Sequence, residues 1–184
     1  MKVRTSVLVL LLTGLFLLQL PGFIYASEPQ PFRVIPVPRE STISDMSEPL
    51  VSIILRTKAE LNSFIAGLLE EQNGIPPDER YFFFVNELKK AKLDFRREAL
   101  VLLQHTEQSG TPQVVFHPPE LNGQRLICTI EGEALDPNMC LNMIMASYCE
   151  AIAVLKEQIK EVEVRDIGAG VEPRKAKTTV LRIR

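Results

Sequence analysis

Two histidines and three cysteines are the side chains of this chain best suited to nucleophilic or metal chemistry. A Cys thiol beside a His imidazole forms a nucleophilic pair, because the imidazole removes the thiol proton. The spacing in the sequence permits such a pair between Cys128 and His117. Cysteines on half-buried strands are mostly inert, however, because the reactive thiolate needs an exposed and electropositive setting. We therefore treat a nucleophilic Cys128–His117 pair as the alternative to a non-catalytic role.

Both histidines are expected on one β-hairpin. Residues 99–103 and 113–117 predict consecutive strands joined by a polar turn at Ser109-Gly110-Thr111. Pairing about that turn separates His105 from His117 by about four residues along the ladder, or ~13 Å at ~3.3 Å per residue. One metal ion cannot be bound by both side chains at that separation, so we predict strand-end histidines in water.

Motifs that mark common active sites are absent from the sequence. There is no Gly-x-Ser-x-Gly, phosphate-binding glycine loop, calcium-binding loop, His-Glu-x-x-His or Cys-x-x-Cys motif. Each of these motifs places a nucleophile, a phosphate or a metal in a fixed geometry. We therefore predict no catalytic, cofactor-binding or metal-binding residue, no cofactor, and a protein that is not an enzyme.

The cysteine count is odd, with Cys128, Cys140 and Cys149. In an oxidising compartment this count predicts at most one disulfide. We expect Cys140–Cys149, because that bond would clip a loop to the strand that follows it. Three buried free thiols remain the alternative, since free cysteine packs as a small hydrophobic residue.

The N-terminus has the layout of a secretory signal peptide over residues 1–26. Lys2 and Arg4 are followed by an apolar run over 7–20, a Pro21-Gly22 break, and Ala26 before Ser27. The run is shorter than the ~20 apolar residues that a membrane span needs. An uncleaved anchor that extends through Phe23-Ile24-Tyr25 is the alternative.

The net charge of the chain is −2, and removal of Lys2 and Arg4 with the signal peptide makes it more acidic. Proteins that bind nucleic acid by phosphate contacts carry basic patches and a basic net charge. The sequence therefore argues against a nucleic-acid partner.

Hydrophobic periodicity locates the helices and strands. A capping box at Thr57 and Glu60 begins a helix predicted over 58–72. Pro76-Pro77-Asp78 begins a second helix, which has Lys89, Lys90 and Lys92 on its solvated face. Strands are predicted at 50–55, 99–103, 113–117, 125–131, 147–156, 160–165 and 179–183.

These elements predict an α+β fold with two N-terminal helices packed on a mainly antiparallel β-meander, since closely spaced strands with short turns pair with their sequence neighbours. The chain divides into a signal peptide over 1–26, a Pro-rich extended leader over 27–49, an α+β domain over 50–166, and a tail over 167–184 that can add a final strand. One core is expected from the apolar stripes: Leu61, Phe64, Leu68, Phe84, Leu88, Val101 and Leu103.

The stretch from Leu93 to Leu102 (Leu-Asp-Phe-Arg-Arg-Glu-Ala-Leu-Val-Leu) resembles the opening of the PrcB-like domain. That family, named for an accessory subunit of a secreted bacterial protease complex, continues with a glycine-bearing turn, a strand, a second hairpin and a late strand ending near Lys. Ser109-Gly110, 113–116 and 147–156 follow in that order, so the resemblance covers about 93–164. The family frequently has a Gly-Gly turn and a Pro before an aromatic residue. This chain has neither feature at the corresponding positions. The resemblance implies a non-catalytic, exported interaction domain and carries over no active site.

The sequence thus predicts an exported protein–protein interaction or accessory domain that stabilises a secreted enzyme or protease. The expected partner is another exported protein, in the periplasm or outside the cell, with no nucleic acid and no membrane contact after signal removal. Its rim is predicted at two turns, Ser109-Gly110-Thr111 and Asn122-Gly123. The alternative is a small exported hydrolase or ligand-binding protein with its site around His117 and Cys128.

Overall fold

The computed structural model describes residues 30–38, 40–41, 51–70, 79–107, 114–132, 146–168 and 175–183. The described helices and strands all belong to the compact unit Pro31–Arg184. Four predicted features lie wholly or partly outside the described residues: the signal peptide, about half of the Pro-rich leader, Cys140, and the Ser109-Gly110-Thr111 turn. No helix within these ranges combines the length and the hydropathy of a membrane span.

Two helices and ten strands make up the described fold. The helix that begins after Thr57 has the predicted cap, since the Glu60 N–H donates to Thr57 Oγ1 at 3.1 Å. In chain order the elements are β1 (Phe32–Ile35), β2 (Glu40–Ser41), β3 (Ile53–Leu55), α1 (Lys58–Glu70), α2 (Glu79–Lys90), β4 (Glu98–Glu107), β5 (Val114–Phe116), β6 (Glu120–Asn122), β7 (Arg125–Gly132), β8 (Ala146–Leu155), β9 (Glu161–Ile167) and β10 (Lys177–Arg182).

The strands form two sheets. The first sheet has the order β1-β8-β4-β3, with β2 also paired to β8, and all its pairs are antiparallel. The second has the order β10-β9-β7-β5, with β6 also on β7, and its β7–β9 pair is parallel. The α+β class with mostly antiparallel pairing is therefore confirmed, whereas a single meander is wrong.

The predicted hairpin between β4 and β5 is also wrong. β4 pairs along its whole length with β8, from Glu98 opposite Leu155 to Glu107 opposite Ala146, whereas β5 pairs with β7 in the other sheet. The three residues of β5 cannot satisfy the backbone of a ten-residue strand, and β8 matches that strand in length and apolar content. His105 and His117 therefore lie in different sheets, and the predicted ~13 Å ladder separation does not apply.

The first sheet is buried on both faces. Leu100 and Leu102 belong to a cluster shared with α1 and α2, whereas Val101 and Leu103 belong to a cluster shared with the second sheet. Successive side chains of a strand point to opposite faces, which explains the unbroken apolar run of β4. The predicted single core is therefore two cores, one on each side of the first sheet.

Candidate functional site

His105 joins the two sheets. Its side chain is 5 % exposed, and its Nδ1 lies 3.0 Å from Asp166 Oδ1 on β9. Tyr148 pairs with it on β8, and alternation places the buried Glu150 on the same inner face. An ionisable group in such a position needs a partner, and the imidazole–carboxylate contact supplies one. Sequence reasoning missed this cross-sheet contact, because its two residues are 61 positions apart.

His117 lies on the solvated side of the second sheet. Its Nε2 is 2.7 Å from Glu131 Oε2, and both side chains are roughly half exposed. The His117 N–H donates to the carbonyl of Thr129, so the histidine stands beside the residue that follows Cys128. Cys128 points inward, in the core between the sheets. The sheet therefore separates the imidazole from the thiol, and the alternative site around His117 and Cys128 is not formed.

The two described cysteines are free thiols buried in different cores. Burial, and secondarily the negative charge of Glu150, raises the pKa of both Cys128 and Cys149 to about 12. Near neutral pH both stay protonated and cannot act as nucleophiles. Because Cys149 is a free thiol, the predicted Cys140–Cys149 disulfide is not formed in this structure, and Cys140 itself lies outside the described residues. Among the described side chains, no group of three His, Cys, Asp or Glu could hold a metal ion.

A cavity of about 620 Å³ lies on the outer face of the second sheet, beside the predicted Asn122-Gly123 rim. Gly123 takes the left-handed conformation of this turn, with φ +59°. The first described residue after the Ser109-Gly110-Thr111 turn is Val114, which pairs with Gly132 at the far end of β7. At ~3.3 Å per residue, Gly132 lies about 23 Å along the strand from Arg125. The described part of the predicted rim is therefore Asn122-Gly123 alone.

The described lining of that cavity has three cations, Arg125, Lys160 and Arg182, and one carboxylate, Glu161, and each cation contacts another protein group. Arg125 binds Glu161 at 2.9 Å and Glu163 at 3.0 Å, and Arg165 binds Glu163 at 2.7 Å. The hydrogen bond from Arg165 lowers the pKa of Glu163, and the hydrogen bonds to Glu161 and Glu163 raise the pKa of Arg125. The face is a solvated ion-pair ladder, of the kind an antiparallel sheet commonly presents to water.

A second cavity, of about 370 Å³, opens where α1 begins and α2 ends, and we call it the basic pocket. Its floor is apolar, since Leu61 and Leu88 are 1 % exposed and Leu93 and Phe95 are partly buried against the same core. Asp94 is the one carboxylate among the described residues that line it. The remaining polar lining comprises Thr57 and four cations, Lys58, Lys89, Lys92 and Arg96.

The cations of the basic pocket have no acidic partner among the described residues. Within the described part of the chain, none of the four lies within ion-pair distance of a carboxylate, and Asp94 Oδ1 accepts the Arg96 backbone N–H at 3.1 Å. Lys58 moreover stands in the first turn of α1, where the helix dipole disfavours a positive charge. Sequence reasoning took Lys89 and Lys92 as a solvated face. The one local feature of the sequence that could have indicated the pocket is the positive charge of Lys58 in the first turn of a helix.

The outer edge of β10 is a further candidate surface. This strand ends the second sheet and is paired only with β9 among the described strands. Because the Ile183 N–H donates to the Lys160 carbonyl, alternation turns the backbone groups of Thr178 and Val180 away from β9. The Arg182 carbonyl points the same way and accepts a hydrogen bond from Arg56 Nη2 at 2.6 Å.

No protein family model, curated protein or solved structure matches this chain.

Proposed function

We propose that this chain is an exported, non-catalytic interaction domain that binds another exported protein, such as a secreted enzyme or protease that it stabilises. The observation that carries the proposal is the free edge of β10. Such an edge pairs with an extended segment of a partner by main-chain hydrogen bonds.

The β10 edge is long and its middle is uncharged. It has six residues, whereas the other described edge strands, β1, β2, β3, β5 and β6, have two to four. Proteins commonly protect sheet edges by shortening them or by placing charges along them. Here Lys177 and Arg182 stand only at the two ends, and the side chain of Val180 between them is 47 % exposed. The edge is therefore suited to accept a partner strand.

The PrcB-like resemblance supports the same function. Two features of the resemblance are the Asp-Phe pair and the Lys after the late strand. They are in contact, since Lys156 Nζ donates a hydrogen bond to the Phe95 carbonyl at 2.7 Å. The helices α1 and α2 pack on the face of the first sheet opposite the one that packs on the second sheet, so neither of them covers this edge. The resemblance implies export and an accessory role, and the signal-like N-terminus accords with both.

Val180→Pro tests the proposal. Proline at this position removes an N–H that points away from the sheet, so every β9–β10 hydrogen bond can persist. Val180→Thr is the matched control, because it keeps the N–H and the β-branched shape. We expect the tagged protein and Val180→Thr to capture the same partner from the envelope fraction, and Val180→Pro to capture none.

Two results would contradict the proposal. One is that the tagged wild-type protein captures nothing above a tag-only control. The other is that Val180→Pro captures the partner as well as Val180→Thr does. Thermal unfolding of both variants shows that the comparison is made on folded protein.

A further inference from the structure

We propose that the basic pocket binds an acidic segment of the partner protein and receives one of its apolar side chains. This inference rests on the proposed function and deepens it, because it states the chemistry of the partner. An apolar floor beneath a ring of cations fits a side chain such as Phe or Leu flanked by carboxylates.

Charge is the first argument. The chain as a whole is acidic, with 23 Asp and Glu against 21 Lys and Arg. The basic pocket nevertheless has four cations and one carboxylate, and none of those cations is neutralised within the described chain. The larger cavity also has more cations than carboxylates, but its cations have partners: Arg125 binds Glu161 and Glu163, Arg182 lies 4.0 Å from Glu161, and Lys160 Nζ donates to the Lys156 carbonyl at 2.8 Å. Unneutralised charge around an apolar floor is complementary to an anionic partner.

The second argument is that the walls of the pocket are held in place. The Lys156 ammonium donates to the Arg56 carbonyl at 2.8 Å and to the Phe95 carbonyl at 2.7 Å. It thereby ties the segment that begins α1 to the segment that carries Phe95 and Arg96. A site whose walls are fixed before binding loses less entropy when the ligand arrives.

The third argument is continuity with the β10 edge. Arg56 directly precedes Thr57, which lines the pocket, and Arg56 Nη2 also donates to the carbonyl of Arg182 at the end of β10. The Arg56 side chain therefore links the end of β10 to the segment that forms one wall of the pocket.

The same observations favour a peptide over a small anion or a lipid. Inorganic phosphate would gain nothing from the apolar floor. A volume of about 370 Å³ lies near the lower limit of ligand cavities, which suits one side chain better than a long acyl chain. The cations come from α1, from α2 and from the segment after α2, so they surround the opening and suit several carboxylates spread along a chain.

The test is fluorescence anisotropy with a labelled peptide in which glutamates flank one phenylalanine. Lys89→Gln with Arg96→Gln removes two pocket cations. Lys90→Gln with Arg97→Gln is the matched control, because it removes the neighbouring cations, which do not line the pocket. We expect the pocket pair to weaken binding about tenfold and the control pair less than about twofold.

Two peptide controls apply to the wild-type protein alone and need no variant to fold. Replacing the phenylalanine by serine, or raising the salt from ~0.05 to ~0.5 M, should each weaken binding severalfold. The inference is overturned if the peptide does not bind, if the serine peptide binds equally well, or if both variant pairs weaken binding alike. Displacement of the peptide by inorganic phosphate or a fatty acid would assign the pocket to a small anion and would also overturn it.

The capture experiment separates this inference from the proposed function. If Lys89→Gln with Arg96→Gln still captures the envelope partner as the control pair does, the interaction domain stands and the role of the pocket is wrong. If the wild-type protein captures no partner, the proposed function itself fails.

Discussion

Alkaline pH should destabilise this protein through its two buried thiols. Burial raises the pKa of Cys128 and of Cys149 from 9.0 to about 12. In the unfolded chain a thiol ionises near its ordinary pKa, whereas in the folded chain it keeps its proton. The stabilising effect of burial is fully present below about pH 9 and is lost as the pH rises toward the folded pKa of about 12.

The size of the effect follows from the two pKa values. At about pH 10 the unfolded thiol is mostly ionised, and proton linkage lowers the free energy of unfolding by about 1.4 kcal/mol for each cysteine. The two thiols together should therefore cost about 3 kcal/mol between about pH 8 and about pH 10. A domain of this length has a stability of only about 5–15 kcal/mol, so the loss is measurable.

Urea unfolding at several pH values, with reductant present to keep the thiols free, measures the effect. Tyrosine and lysine also titrate in this range, so the comparison is with Cys128→Ala, Cys149→Ala and the double variant. Between about pH 8 and about pH 10, the free energy of unfolding should fall by about 1.4 kcal/mol less in each single variant than in the wild-type protein, and by about 3 kcal/mol less in the double variant. Equal declines for the wild-type protein and the double variant would refute the reasoning.

Two further predictions concern packing and export. Leu102→Ala, at a side chain with no exposed surface in the core beneath the helices, should lower the free energy of unfolding by about 2–5 kcal/mol, whereas the matched Leu121→Ala, at a half-exposed side chain, should change it by less than about 0.5 kcal/mol. Equal shifts of the two urea midpoints would reject the packing described. Intact-mass analysis of exported protein should give a chain that begins at Ser27, and a mass that includes residues 1–26 would show a retained anchor.

The sequence by itself predicted both helices and seven of the ten described strands, because their signals are local. The capping box at Thr57 predicted the start of α1, and apolar spacing predicted a helix over all of its described residues, Lys58–Glu70, whereas the predicted end at residue 72 lies outside the described residues. The unbroken apolar run at 99–103 correctly indicated a strand covered on both faces. The last strand, predicted over 179–183, was confirmed as β10 with bounds shifted by one or two residues. Each of these features depends on neighbours within about one helical turn or one strand.

Only the tertiary structure decided which strands pair and which charges meet. A strand buried on both faces is compatible with many partners, and β4 pairs with β8 rather than with the adjacent β5 because length and burial over the whole domain select that partner. The basic pocket likewise brings Lys58 beside Lys89 and Arg96 through the packing of both helices on the first sheet. Contacts between residues so far apart in the chain depend on the free energy of the whole fold, so no local sequence pattern predicts them.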